Sequence, residues 1–140
     1  MTINQNDTPA ADNPYPGLLK RTKAALLDTV VLIIFMYSIS ELFNMFDNVS
    51  DAIRLSAFIF IFFLYDPLFV SLFGGTVGHK QQDLGVKKEQ NELKNISFLS
   101  AILRFITKST LGWLSFLTMS MSSKNKAIHD YVAGSVVVFK

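Results

Sequence analysis

Two long apolar runs dominate this chain. Residues 24–43 read AALLDTVVLIIFMYSISELF and residues 52–73 read AIRLSAFIFIFFLYDPLFVSLF. At ~1.5 Å per helical residue each spans roughly 30 Å, the thickness of a hydrocarbon core. In a chain of 140 residues, 50% hydrophobic and only 17% charged, they hold more apolar surface than one soluble domain could bury. Both runs are therefore expected to be transmembrane helices. The net charge of +2 is too small to point to nucleic acid, and the lack of cysteine excludes disulfides, thiol catalysis and cysteine-based zinc sites.

Charge sets the expected orientation. Lys20, Arg21 and Lys23 precede the first run, and Lys80, Lys87, Lys88 and Lys94 follow the second. The segment between the runs, NMFDNVSD, carries aspartates and no lysine or arginine. The positive-inside rule then places the N-terminus in the cytoplasm. Residues 1–16 are polar, with three prolines, and lack the basic start and apolar core of a signal peptide. They read as a disordered cytoplasmic tail, leaving 17–140 as the membrane domain. The sequons NDT, NVS and NIS are too short to carry an argument.

A third run, residues 96–122, is also long enough to cross. It contains Arg104, Lys108, many Ser and Thr residues and Gly112. Two cations facing lipid would cost several kcal/mol. A crossing would also leave Lys124 and Lys126 outside, against the charge rule. A helical hairpin that enters and returns, breaking near residues 109–112, is favoured. The short β-branched segment SVVVFK (135–140) supports it. It is a natural partner for the strand-like DLGVKK (83–88), because an isolated strand leaves its ladder unpaired. The expected fold is an all-α membrane protein: two transmembrane helices, a third re-entrant segment, and a two-stranded cytoplasmic ribbon.

Ionisable residues within these runs match in depth. Asp28 and Asp66 each lie about seven residues, or ~10 Å, from the cytoplasmic end of their helix. Arg104 lies at similar depth if the third run enters from the cytoplasm. Such groups normally face inward and pair. An Asp28/Asp66/Arg104 cluster is expected, with Lys108 nearby and Arg21 outside it as an interfacial anchor. The cluster is either a clamp between elements or a proton or cation site, since a desolvated carboxylate can titrate near neutrality. The arginine already compensates one carboxylate, which favours the clamp. Pro67, directly after Asp66, removes a backbone hydrogen bond and is expected to kink the second helix.

The stretch GGTVGHKQQDLGVKK (74–88) invites comparison with a phosphate loop. A Walker A motif, however, needs lysine directly after its second glycine and follows a strand. Here Gly78 is followed by His79, and the stretch follows an apolar helix. It reads as an exit turn.

Four motifs together resemble the RDD family of small bacterial membrane proteins, named for one arginine and two aspartates. LLKRTKAALLDTVVL places Arg21 and Asp28 as the family does. Gly75, Thr76 and Gly78 match the family's G-x-T-x-G core, with His79 where lysine usually stands and Lys80 next. The arginine of LRF (103–105) follows the loop. KNKAIHDYVAGSVVV carries His129 and Asp130 at the closing motif, which makes Asp130 the second aspartate of the name. Asp66-Pro67 is not part of that pattern. The resemblance covers about residues 15–140 and implies a bacterial inner-membrane protein with a suggested role in transport.

Other chemistry is weaker. His79 and His129 are the only histidines, and nothing in the sequence positions them as metal ligands. No nucleophile–base constellation has supporting motifs, so neither an enzyme, a metal nor a cofactor is expected. Asp130 is expected to cap or pair with Lys124, Lys126 or Arg21. Trp113 is expected at an interface or inside the hairpin. Two functions follow: a small-cation or proton-coupled transport component acting as an oligomer, or a non-catalytic scaffold binding another membrane protein. The family association tips the sequence toward transport. The expected partners are the lipid bilayer and either further copies of the chain or another membrane protein.

Overall fold

The computed structural model describes residues 14–140. Helix α1 runs Leu18–Asn44 and α2 Asp51–Phe73. Both are long and apolar enough to cross a membrane. Ser50 caps α2 by accepting from the Ile53 N–H, and Gly74 ends it with φ 72°. The helix continues through Pro67.

These helices are apolar outside and polar inside. The buried residues of α1 are Arg21, Ala24 and Asp28, while Leu26, Val30, Ile33 and Ile34 are exposed. In α2 the buried residues are Tyr65, Asp66, Pro67 and Val70, with Phe60, Phe63 and Leu72 exposed. Water as solvent would select the reverse pattern.

After α2 the chain makes a short helix α3 (Val77–Gln81), then strands β1 (Leu84–Lys88) and β2 (Asn91–Asn95). Helix α4 (Phe98–Leu111) follows, capped by Ser97, which accepts from the Ser100 N–H. Gly112 then takes φ 52° and ψ −132°, a conformation essentially reserved for glycine, and the helix stops. A four-residue helix α5 (Leu114–Leu117), a 3₁₀ turn (Thr118–Met121), helix α6 (Ile128–Ala133) and strand β3 (Ser135–Phe139) complete the chain.

The sheet is antiparallel with order β2-β1-β3. Strands β1 and β3 pair as expected, with Leu84 opposite Phe139 and Val86 opposite Val137. The expected two-stranded ribbon is corrected to three strands. The segment NELKN carries one apolar residue, Leu93, and that side chain is exposed, so β2 has no alternating pattern to read.

The expected hairpin is also refined. Its break falls at Gly112, but the returning half is two short helical turns and an extended stretch rather than one helix. Because the chain leaves β2 and returns to β3 of the same sheet, both ends of the segment between lie at that sheet. Helix α4 packs against α2 and α6, and α1 against α3. A small apolar core of Ala24, Val70, Leu84, Val86, Ile96, Ala101 and Val137 joins the start of α1 and the end of α2 to the sheet.

The proposed tail, residues 1–16, lies mostly outside the described residues. Its last three residues are held in place. The Pro14 carbonyl accepts from Phe139 N–H, the Tyr15 carbonyl from Asn125, and Pro16 is buried.

Candidate functional site: a charged core at one end of the long helices

The site has two halves. The first is built on Asp28. Its carboxylate accepts from Tyr65 Oη at 2.9 Å, Thr76 Oγ1 at 2.6 Å and the Gly78 N–H at 2.8 Å. The exit turn supplies two of these donors, so α1 and α2 are joined by the chain that follows them. Gly78 makes this possible by close approach. A Cβ there would collide with the Ala24 carbonyl and stand 2.9 Å from the Asp28 carboxyl carbon.

Thr76 caps α3 and relays the contact. Its hydroxyl donates to Asp28 and therefore accepts from His79 Nδ1 at 2.5 Å, which assigns the Nδ1–H tautomer. Burial, with the Arg104 and Lys108 charges adding to it, pushes the His79 imidazole well below its ordinary 6.5, so the ring is neutral.

The second half is built on Asp130. Arg21 donates to it at 2.6 Å and Arg104 Nε at 3.3 Å, and the Ala127 N–H donates at 3.1 Å. Arg104 also reaches Asp66 at 3.4 Å, where Lys108 donates at 3.3 Å. His129 completes the shell. Its Nε2 faces Arg21 at 3.1 Å, so it accepts there, and Nδ1–H donates to Ser115 Oγ.

Electrostatics follow from this geometry. Burial alone would raise the Asp130 carboxyl, but the Arg21 and Arg104 guanidiniums outweigh it and hold it below the usual carboxylate range. Burial pushes His129 down to about 3 against the opposing pull of Asp130, with the Arg104 and Arg21 charges adding to the fall. Three carboxylates, Asp28, Asp66 and Asp130, thus stand among three cations, Arg21, Arg104 and Lys108. Among the described residues no buried side-chain nitrogen or oxygen lacks a hydrogen-bond partner. Between the halves, Arg21, His79, Arg104, Lys108 and His129 line a cavity of about 10 Å³, room for one water.

Several expectations change here. Arg104, Asp66 and Lys108 do come together. Asp28 does not pair with Arg104, because Tyr65, Thr76 and Gly78 already occupy its oxygens. Arg21 is not an interfacial anchor: α1 begins at Leu18, and its first turn points Arg21 inward, leaving it 4% exposed. Among the proposed partners of Asp130, Arg21 is the one that pairs, while Lys124 and Lys126 go to Glu89 at 3.7 and 2.6 Å. Gly75 packs against the His79 side chain. His79 turns inward to Thr76, and Lys80 turns outward over the Phe73 ring. Trp113 is exposed.

Tyr65 and Ser115 are site residues the sequence did not single out. A tyrosine directly before Asp66 in an apolar run was the available signal for the first. Among the described residues no group of three or more His, Cys, Asp or Glu side chains is placed to hold a metal ion.

Long helices that bury charge and expose hydrocarbon define a small protein of membrane type with a charge-paired core. The chain belongs to the RDD family, whose model matches residues 15–134. Comparison with curated proteins and with solved structures gives no match.

Proposed function

We propose that the chain is a multi-pass protein of the bacterial inner membrane acting as a non-catalytic scaffold or accessory subunit. Helices α1 and α2 cross the bilayer, with the N-terminus and the sheet on the cytoplasmic side. Helix α4 and the turns after it, at 14 residues and shorter, dip into the near leaflet and return. Leu99, Leu103, Ile106, Trp113, Leu114 and Leu117 are among their exposed apolar side chains. The observation that carries the scaffold role is the charge-balanced core: its described buried side-chain nitrogens and oxygens all have hydrogen-bond partners, and the cavity between its halves is too small for a hydrated ion. The exposed apolar faces of α1 and α2 are then the surfaces that meet lipid and a second membrane protein or further copies.

Crosslinking in native membranes and gentle extraction test this. A stoichiometric partner or a defined homo-oligomer is expected. A protein that crosslinks to nothing and purifies alone counts against the scaffold.

A transport component assembled from several copies is the second reading. The chain Asp28–Thr76–His79, a carboxylate linked through a hydroxyl to a neutral imidazole, favours it. That role requires proton- or cation-driven flux in vesicles holding the purified protein. Flux unchanged in an Asp28→Asn, Asp66→Asn double variant eliminates it.

A further inference from the structure

Outside the charged core, three lysines from three different segments converge on the last residues of α2. Lys140 Nζ donates to the Phe73 carbonyl at 3.3 Å. Lys80 Nζ stands 4.7 Å from the centroid of the Phe73 ring. Lys87 Nζ lies 3.1 Å from where a Cβ on Gly74 would be, and donates to Asn95 Oδ1 at 2.6 Å. Among the described residues none of the three forms a salt bridge; the lysine bridges go to Asp66 and Glu89 instead.

The C-terminal dipole of α2 accounts for part of this. It is worth about half a negative charge, and Asn95 already donates to the Ser71 and Leu72 carbonyls, at 3.3 Å each. Three ammonium groups around that dipole leave a surplus of positive charge. The crowding is felt: the Lys140 ammonium is held below its ordinary value by partial burial and by the Lys87 and Lys80 charges. Like charges in one place destabilise the fold unless an anion joins them.

The location names the anion. Phe73 and Gly74 end the second apolar helix, so this cluster stands where lipid headgroups lie if α2 crosses the bilayer as proposed. We infer that Lys80, Lys87 and Lys140 form a binding site for the phosphate of an anionic phospholipid headgroup at the cytoplasmic end of α2. This inference rests on the membrane assignment made above.

The test uses the full-length protein in mixed micelles and counts bound lipid by native mass spectrometry. The probes are phosphatidylglycerol and phosphatidylcholine. Each lysine near an anionic headgroup contributes about fivefold, so the triple variant Lys80→Gln, Lys87→Gln, Lys140→Gln is expected to lose about a hundredfold in phosphatidylglycerol affinity. Phosphatidylcholine binding stays unchanged, and the triple arginine variant restores the preference. A Lys20→Gln, Lys23→Gln control keeps it.

Equal phosphatidylglycerol preference in the wild type and the triple glutamine variant overturns the inference. So does inorganic phosphate binding as tightly as the lipid, which would make the site one for a soluble anion. If the triple variant does not fold, Lys80→Gln alone decides: a fivefold loss supports the site and no loss overturns it. Carbonate extraction of the same membranes reads the underlying assignment separately. Protein released to the soluble fraction defeats the membrane assignment, while membrane-bound protein without lipid preference defeats only this site.

Discussion

Asp130 sits between two guanidiniums, Arg21 at 2.6 Å and Arg104 at 3.3 Å, with no exposure to solvent. Replacing it with Asn keeps the shape but leaves Arg21 buried without a carboxylate and Arg104 with Asp66 alone. Asp130→Asn is therefore expected to cost about 3–5 kcal/mol in reversible unfolding from micelles. Asp66→Asn should cost less, because its partner Lys108 is 22% exposed and can turn to water. Gly78→Ala places a methyl group against the Ala24 carbonyl and is expected to destabilise by roughly 1–3 kcal/mol while loosening the Asp28 contacts. The histidines set the pH response. Both are held below 6.5 in the folded protein, His129 at about 3, so the unfolded chain binds protons that the folded one does not. Stability is thus full above about pH 6.5 and falls as pH drops from there toward 3. A His79→Gln, His129→Gln double variant should flatten that fall between pH 6.5 and 4; an unchanged slope would rule the histidines out as its source. At this scale the sequence displays Asp28, Asp66 and Arg104 at matching depth in their apolar runs with Lys108 nearby, and of these Asp66, Arg104 and Lys108 come together. It offers Arg21 only as one of three candidate partners of Asp130, since the two residues lie 109 positions apart and the returning hairpin brings them together.

Among the elements, the long helices and the pairing of β1 with β3 are plain in the sequence. Apolar length marks the first, and two β-branched or glycine-flanked segments needing partners mark the second. Strand β2 is hidden because it lies on the exposed edge and buries no side chain that would impose a period of two. The breakdown of the third run into α4, α5 and a 3₁₀ turn is signalled only by Gly112. Its backbone conformation, φ 52° and ψ −132°, is closed to other residues, and no atom crowds its missing side chain. Gly112→Ala should therefore cost about 1–3 kcal/mol through backbone strain alone. Unfolding midpoints of Gly112→Ala and a neighbouring Leu111→Ala control, with their denaturant slopes, separate strain from lost packing.

For the whole molecule, the sheet gathers the end of α2, the start of α4 and the chain's last strand on one side. Reporters fused after Lys140 and before Lys20 are accordingly expected to score cytoplasmic in bacteria, and one fused between Asn44 and Asp51 external. An external score at Lys140 would contradict the return of the hairpin. What holds that return in place is the charged core, in which the hairpin and α6 meet α1 and α2 through Arg104, Asp130, Arg21 and Asp66. The core as a clamp is the claim on which the scaffold proposal depends, and a double-mutant cycle between Arg21 and Asp130 measures it most directly. Unfolding free energies of Arg21→Gln, Asp130→Asn and the double variant should give a coupling of about 2 kcal/mol or more. A coupling below about 0.5 kcal/mol, with all three proteins folded, would mean that this pair clamps nothing.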